Sequence, residues 1–403
     1  MRNVSCVSES RMCSGCGACV VICPRKVIDL KTTSLGRLYA SVGHDCIDCG
    51  LCQMVCPSYS LNYNEQDFFS VNKSLVAIGR AKDHLYYLNG QSGGALTAVL
   101  SFLFDSDKIE AALVCKPCSN GRGEPYIITD KEQLNVCQGS QYTPVTLLSA
   151  VNSLQSYSSV AVVGLPCHMS GLDRLMRVRR IPVKYKLGLI CDRTLCGTIT
   201  DSIRRYLQLQ ECDDMMIRWR DKNVPGYTYY NAPVSIRLAN DDVAIISSKV
   251  RQKLKTTFTA PRCLVCPDKL NISADIVFGD PWNISFNSDK GESLVIANNS
   301  IGEEILSEAL REECIILSNV DSANLDVSQH ITLRKSQVLL YSKLFNRKAK
   351  RMLGYTKCKE DIKIALPEYV RAIINLFRFY VLEKLPKKWV VELTASMIAK
   401  MNK

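Results

Sequence analysis

Two copies of one cysteine spacing stand near the start of the chain and constrain everything else it can do. Cys13, Cys16, Cys19 and Cys23, followed by Pro24, spell C-x2-C-x2-C-x3-C-P, and Cys46, Cys49, Cys52 and Cys56, followed by Pro57, spell it again. Thiolates at such gaps wrap a cubic iron-sulfur cluster, and in paired runs the fourth cysteine ligates the cluster of the other run. One 4Fe-4S cluster is therefore expected on Cys13, Cys16, Cys19 and Cys56, and a second on Cys46, Cys49, Cys52 and Cys23. The crossing would staple the two halves together. Gly15, Gly17 and Gly50 fall inside the runs, where a chain turning round an inorganic core needs positive φ and close backbone approach. The competing reading is a pair of structural zinc sites, but these are typically built from paired C-x2-C knuckles, not from repeated four-cysteine runs with a trailing proline. Cys6 lies outside the pattern and reads as a bystander.

The 403 residues hold 20 cysteines, many at gaps of two or three residues, which favours metal ligation over a disulfide framework. Met1-Arg2-Asn3-Val4 opens no secretory apolar run, and nowhere do eighteen uncharged apolar residues follow one another, so a cytoplasmic protein, soluble or peripheral to a membrane, is expected. A net charge of +12 would ordinarily point to nucleic acid, yet residues 331–403 carry 17 Lys and Arg against 5 Asp and Glu and account for all of it. Residues 1–330 are neutral, and nucleic-acid binding is not expected.

Four regions follow. Residues 1–60 form a small bacterial-type two-cluster ferredoxin module of α+β character, 61–74 a polar linker, 75–330 a larger α/β domain, and 331–403 a basic helical extension. In the large domain, apolar runs at 111–115, 160–164, 186–190 and 274–279 alternate with helical stretches, the rhythm of an α/β sheet. Ligands of such sheets gather beyond the carboxyl ends of the strands. Gln91-Ser92-Gly93-Gly94 opens a helix expected over 95–104, and its free N–H groups suit a phosphate or pyrophosphate, although a plain glycine turn explains the same residues. Gly164-Leu165-Pro166-Cys167-His168 sets a thiol between a strand and a helix expected over 170–177. Cys191 closes another strand, and Cys263-x2-Cys266-Pro267 is a knuckle that needs two more ligands. Cys167 and Cys191 are the best placed to complete it, giving a third 4Fe-4S cluster; a zinc knuckle or a bare thiol pair is the alternative. Cys196 can replace either partner, and the Cys115-x2-Cys118 pair keeps the assignment open. Cys137, Cys212, Cys314 and Cys358 read as packing or surface residues.

The order of these pieces carries a resemblance. Paired ferredoxin runs, Ser92-Gly93-Gly94, Gln138-Gly139-Ser140-Gln141-Tyr142, Gly164-Leu165-Pro166-Cys167, Leu189-Ile190-Cys191, Cys263-x2-Cys266-Pro267 and Ala274-Asp275-Ile276 leading to Gly279-Asp280-Pro281-Trp282 follow one another over residues 10–285. The set resembles the family of coenzyme F420 hydrogenase/dehydrogenase beta subunits. The resemblance implies an FAD-binding large domain and an oxidoreductase passing electrons between a hydride carrier or a small unsaturated metabolite at FAD and one-electron carriers through 4Fe-4S clusters. It places FAD near Ser92, Gly93 and Gly94, with Gln141 and Tyr142 nearby and Asp280 lining the site. The family often shows Gly-Ser-Lys-Tyr where this chain has Gly139-Ser140-Gln141-Tyr142, so a cation facing a phosphate or anionic substrate is missing here. This departure counts against a deazaflavin, and the resemblance leaves a deazaflavin, a nicotinamide or ferredoxin as the electron donor. An electron-transfer subunit serving a partner reductase is the alternative. His168, beside Cys167, is the candidate proton donor near the flavin.

In the extension, Arg347, Lys348, Lys350 and Arg351 form a basic block, and Ile373, Leu376, Phe377, Tyr380 and Val381 fall at helical spacing. Such a helix can lie on an anionic membrane, dock a partner redox subunit, or pack on the core with a solvated basic face.

Overall fold

A computed structural model describes residues 2–60, 68–73, 75–284, 288, 290–345 and 366–402. Most of the linker and the basic block at 347–351 lie outside these residues.

The ferredoxin module contains helix α1 (Ser5–Glu9), α2 (Ala18–Ile22), the antiparallel hairpin β1 (Ile28–Thr32) and β2 (Leu38–Val42), and α3 (Leu51–Met54). The two cysteine runs fold alike because each places a left-handed residue at the same turn: Gly17 caps α2 with φ 94° and Gly50 caps α3 with φ 82°. The second left-handed position of each run is Gly15 in one and Asp48 in the other, at φ 72° and 50°. Asp tolerates this region through its short polar side chain.

The large domain is built on one mixed sheet. In chain order come β3 (Leu75–Ala81), α4 (His84–Asn89), α5 (Ala95–Asp105), β4 (Ala111–Pro117), β5 (Gly123–Ile128), β6 (Val160–Gly164), α6 (Pro166–Met176), β7 (Val183–Leu189) and α7 (Thr198–Tyr206). Next are β8 (Met215–Arg218), β9 (Val234–Leu238), β10 (Val243–Ile246), α8 (Ser248–Phe258), α9 (Pro261–Leu264), β11 (Ile276–Gly279), β12 (Ser293–Ala297), α10 (Ser300–Arg311) and β13 (Ile315–Asn319). The sheet runs β13-β3-β12-β11-β7-β6-β4-β5. Its centre, β11-β7-β6-β4, is parallel, and the strands on either side pair antiparallel. The parallel centre sends the carboxyl ends of β6, β7 and β11 to one edge, where Cys167, Cys191 and Asp280 follow them.

Alternation at period two fills both faces. Leu113, Val162, Val277 and Leu294 join one core, which also takes in Cys16, Ala18 and Val55 of the ferredoxin module and Met169 and Leu172 of α6. Ala112, Ala161, Phe278 and Val295 face the other way against α5 and α10. The ferredoxin module is thus part of a shared core, not a bead on a string.

Several expectations shift. The helix expected over 170–177 starts at Pro166, because proline's fixed φ and missing N–H suit a first helical position; Cys167 and His168 therefore sit in its first turn. The single large domain carries a second, three-stranded antiparallel sheet, β10-β9-β8, whose short strands left no strong pattern. Its core holds Trp219, Val234 and Phe258.

The extension is less of an appendage than its charge implied. After α11 (Asn324–Gln329) and α12 (Ile331–Leu344), helices α13 (Leu366–Lys384) and α14 (Lys387–Met401) send Phe379, Val390 and Ile398 into the core of the small sheet. Ala372 and Leu376 pack with Val7 and Met12 of the ferredoxin module. At the end of α13, Glu383 receives Arg37 at 2.8 Å and Arg11 at 2.6 Å, with the Glu383 and Arg37 side chains 8 % and 7 % exposed. Glu383→Ala leaves Arg37 buried without its anion, and we expect a loss of about 3 kcal/mol, measured as a lower midpoint of anaerobic denaturant unfolding.

Candidate functional site

Three groups of four thiols define the site. Cys13, Cys16, Cys19 and Cys56 line a cavity of about 320 Å³ walled by Val4, Leu30 and Ala40. Cys23, Cys46, Cys49 and Cys52 line a second, of about 310 Å³, beside Asn3 and Ile47. Each cavity thus takes one thiol from the other run. Among the described residues no three His, Cys, Asp or Glu side chains close on a single ion; the thiols surround a space instead, which fits a cluster of several atoms. Burial pushes the Cys16 thiol up to about 11 and raises Cys13, Cys19, Cys52 and Cys56 as well. Backbone amides of Gly15 and Ala40 at Cys13, and of Ser58 at Cys56, pull the other way, stabilising the thiolate form that ligation needs.

The third group assembles where the parallel strands end. Cys167 in α6, Cys191 after β7, Cys263 in α9 and Cys266 just past it line one cavity, with Cys196 on its wall. Burial raises the Cys167, Cys191 and Cys266 thiols. Buried Arg334 of α12 donates to the carbonyls of Cys263 and Cys266 at 2.5 and 2.9 Å and fixes the knuckle. Arg37, Arg193 and Arg262 line the space together with Asp192 and Asp268, and Arg193 is paired with Asp192 at 2.6 Å. Cys13 borders both this cavity and the first, and Cys19 and Cys52 pack together between the first and second. The three spaces follow one another, and Cys49, in the second, is exposed.

The Ser92-Gly93-Gly94 loop is packed as well as open. Gly93 donates its N–H to the Ser293 hydroxyl at 3.0 Å, and a Cβ there would stand 2.3 Å from the Gly79 carbonyl, so the close approach to β3 by itself requires glycine. Gly94 caps α5 at φ 74°. Asp280, just beyond β11, forms a two-point ion pair with buried Arg220 at 2.8 and 2.5 Å. Burial pushes the Asp280 carboxyl up, but Arg220 outweighs it and holds the group below the usual range. The same guanidinium reaches the Gln91 carbonyl at 3.2 Å and stands beside the stacked pair Tyr229 and Trp282, 4.7 and 5.2 Å from their ring centres. Arg220 thereby joins Asp280 to the loop. Lys222 donates to the carbonyls of Tyr87 and Ser92; burial, then Arg220 and Lys290, push its pKa down to about 7.

Tyr142 stacks on Trp219 at 5.4 Å, with Lys255 of α8 5.1 Å over its ring. Gln141 leans on Gly123 next to the Cys115 thiol. Trp219 Nε1, Arg220 Nε, Arg251 Nε and Thr143 Oγ1 are buried with no hydrogen-bond partner among the described residues. Three orphaned N–H donors beside Tyr142 and Asp280 fit an anionic group such as a flavin's pyrophosphate, since each left unmade costs about 1–3 kcal/mol. Trp219, Arg220, Lys222, Arg251 and Lys255 were missed in the sequence; Arg218-Trp219-Arg220-Asp221-Lys222, a charged run around one tryptophan, was the available signal.

His168 is buried. Its Nδ1 accepts from the Leu165 amide at 3.3 Å, its Nε2 lies 3.1 Å from the Val145 carbonyl, and burial pushes its pKa down to about 4. Both ring nitrogens are engaged by backbone, so the neutral ring pins the 143–147 segment to α6.

A ferredoxin module packed on a mixed α/β sheet, with thiols gathered at the carboxyl ends of its strands, defines an iron-sulfur electron-transfer protein. Residues 12–60 match the 4Fe-4S dicluster domain, 76–152 the N-terminal part and 157–323 the C-terminal part of the coenzyme F420 hydrogenase/dehydrogenase beta subunit. The chain belongs to that family, and its first module is a two-cluster 4Fe-4S domain. It is 26% identical over 371 residues to an uncharacterised protein of Methanocaldococcus jannaschii, covering 82% of this chain and 96% of the relative. It is 21% identical over 325 residues to one of the subunits of the F(420)H(2) dehydrogenase of Methanosarcina mazei, covering 78% and 86%. Its fold is shared with a chain of the F420-reducing [NiFe] hydrogenase complex from Methanosarcina barkeri, at a TM-score of 0.52 and 17% identity over 69% of this chain and 95% of that one.

Lys222 makes a prediction about pH. Its folded pKa lies below the ordinary 10.5, so between about 7 and 10.5 the unfolded chain holds a proton that the folded chain has released. Stability from this group therefore rises with pH across that window. Unfolding midpoints at pH 7 and pH 9 should show this gain in the native chain relative to Lys222→Met.

Proposed function

We propose that the protein is an iron-sulfur flavoprotein oxidoreductase that exchanges electrons with a hydride carrier at FAD and with one-electron carriers through three 4Fe-4S clusters. The observation that carries the reading is the succession of three four-thiol cavities, the last lying at the strand ends from which Asp280 also emerges. In this assignment Cys13, Cys16, Cys19 and Cys56 hold one cluster, Cys46, Cys49, Cys52 and Cys23 the next, and Cys167, Cys191, Cys263 and Cys266 the third. A bound flavin supplies a two-electron hydride on one side and single electrons on the other.

The protein's part is positioning. Arg220, Arg251 and Trp219 donate to the anionic portion of FAD, Asp280 keeps Arg220 aimed, and the Gly94 turn opens α5 beside Ser92. Tyr142 and Trp219 offer a stacked aromatic wall. Lys255 and Arg251 stand by Tyr142 and supply the positive charge that Gln141 lacks, which keeps an anionic carrier, deazaflavin or nicotinamide, within the reading. Names of relatives that act on coenzyme F420 support a deazaflavin. The second reading, an electron-transfer subunit that serves a partner redox subunit or ferredoxin, is favoured by the exposed Cys49 at the outer cavity. We place either activity in the cytoplasm, where thiols stay reduced.

Anaerobic purification with iron, sulfide, zinc and flavin measured against protein tests the assignment. About twelve irons and one FAD are expected; about eight irons without flavin would overturn the enzyme reading and leave a wire subunit. Cys263→Ser/Cys266→Ser should lose about four irons and keep the ferredoxin signal. Arg220→Met should release flavin while iron stays unchanged. Titration with reduced deazaflavin, NADPH and reduced ferredoxin in turn then identifies the donor by which one bleaches the spectrum.

A further inference from the structure

Helix α13 is apolar on two faces. One face is buried, through Ala372, Leu376 and Phe379. The other presents Leu366, Tyr369, Val370, Ile373, Ile374, Phe377 and Val381 to solvent, with Phe377 68 % and Leu366 73 % exposed. Their spacing of three and four residues aligns them as one stripe, about 20 Å long at the helical rise. Scattered exposed apolar residues are ordinary; a continuous stripe of seven marks a contact surface. No helix among the described residues is long and apolar enough to cross a membrane.

We propose that this stripe lies in the interface of an anionic phospholipid membrane and holds the protein there peripherally. Three observations choose a lipid surface. Arg371, Arg378 and Lys384 belong to the same helix, and α14, joined to it by Leu385 and Pro386, adds Lys388 next to Lys387, which is paired with Asp201 at 2.9 Å, and exposes Trp389 and Leu393. Of the two carboxylates of α13, Glu383 is already bound by Arg37 and Arg11. The cations of α13, with Lys388 of α14, supply the basic signal that complements a hydrophobic one on an anionic surface. Lysine is depleted from protein interfaces, whereas at a bilayer its stem lies along the acyl boundary and its head reaches the phosphates.

The buried face of α13 rests on α12, on the ferredoxin module and on the small sheet, so the stripe is held rigidly outward. The inference stands apart from the redox reading and needs neither FAD nor a third cluster.

The test is sedimentation of the full-length protein, purified anaerobically with its clusters, with phosphatidylcholine vesicles with and without phosphatidylserine, at low and high salt. Binding should be about tenfold stronger with phosphatidylserine and fall with salt. Ile373→Glu/Phe377→Glu changes only exposed positions, so its iron content should stay native while vesicle binding is lost. Arg371→Gln/Arg378→Gln/Lys388→Gln should lose the salt-dependent part alone. Three results would overturn the proposal: no sedimentation of the native chain, equal sedimentation of the native chain and Ile373→Glu/Phe377→Glu, or a free protein of twice the chain mass that this variant halves. The last would assign the stripe to a second copy.

Discussion

The structure depends on the crossing of two cysteine runs, which brings thiols from both round each of two shared cavities. Cys16 is raised to about 11, and Cys19, Cys52 and Cys56 are also pushed up. Ligation must replace the thiol protons with iron, so the free energy of cluster binding is also folding free energy. Because each cavity takes its fourth thiol from the other run, neither half of the small module can complete its site alone. The crossing therefore links hairpin β1-β2, α2 and α3 into one cooperative unit.

That unit is continuous with the sheet. Cys16 belongs to the same apolar core as Leu113, Val162 and Val277, and its carbonyl accepts from the Leu148 amide at 2.9 Å. Gly17 approaches this segment so closely that a Cβ would meet the Ser149 nitrogen at 2.7 Å. Such intimate packing shortens the separation between the first and third cavities, with Cys13 on the wall of both. The ion pairs of Glu383 with Arg11 and Arg37 extend the coupling to α13, so a disturbance in the extension reaches the ferredoxin module through two arginines.

The cation-rich site near Asp280 shows how the two sheets divide their work. The large sheet contributes the strand end and the glycine loop, both shaped by close backbone contact. The small sheet and α8 contribute Trp219, Arg220, Lys222, Arg251 and Lys255. Neither sheet holds the arrangement by itself: Arg220, just beyond β8, is oriented by Asp280, just beyond β11, and by the Gln91 carbonyl. Buried donors left without partners in this seam are stability given up locally, which a bound anion would restore.

Much of this was legible in the chain. The cysteine runs are local, spaced by a few residues, and dictate their own chemistry; the apolar runs that became β4, β6, β7 and β11 were visible as short apolar segments, and the order of motifs identified the family. What spacing cannot convey is which distant segments meet. The antiparallel margins of the sheet, the small second sheet, Arg220 against Asp280 across sixty residues and the two backbone bonds that immobilise His168 are pairings between remote parts of the chain. The stripe on α13 was only half legible for the same reason: Ile373, Leu376, Phe377, Tyr380 and Val381 stood at helical spacing, and only packing reveals that the core covers Leu376 and leaves Ile373, Phe377 and Val381 to solvent. Sequence alone determined the cluster chemistry, because ligand spacing is a property of a few neighbouring residues. Tertiary structure decided where each charge and each apolar face stands, because burial and long-range contact arise only once the whole chain has folded.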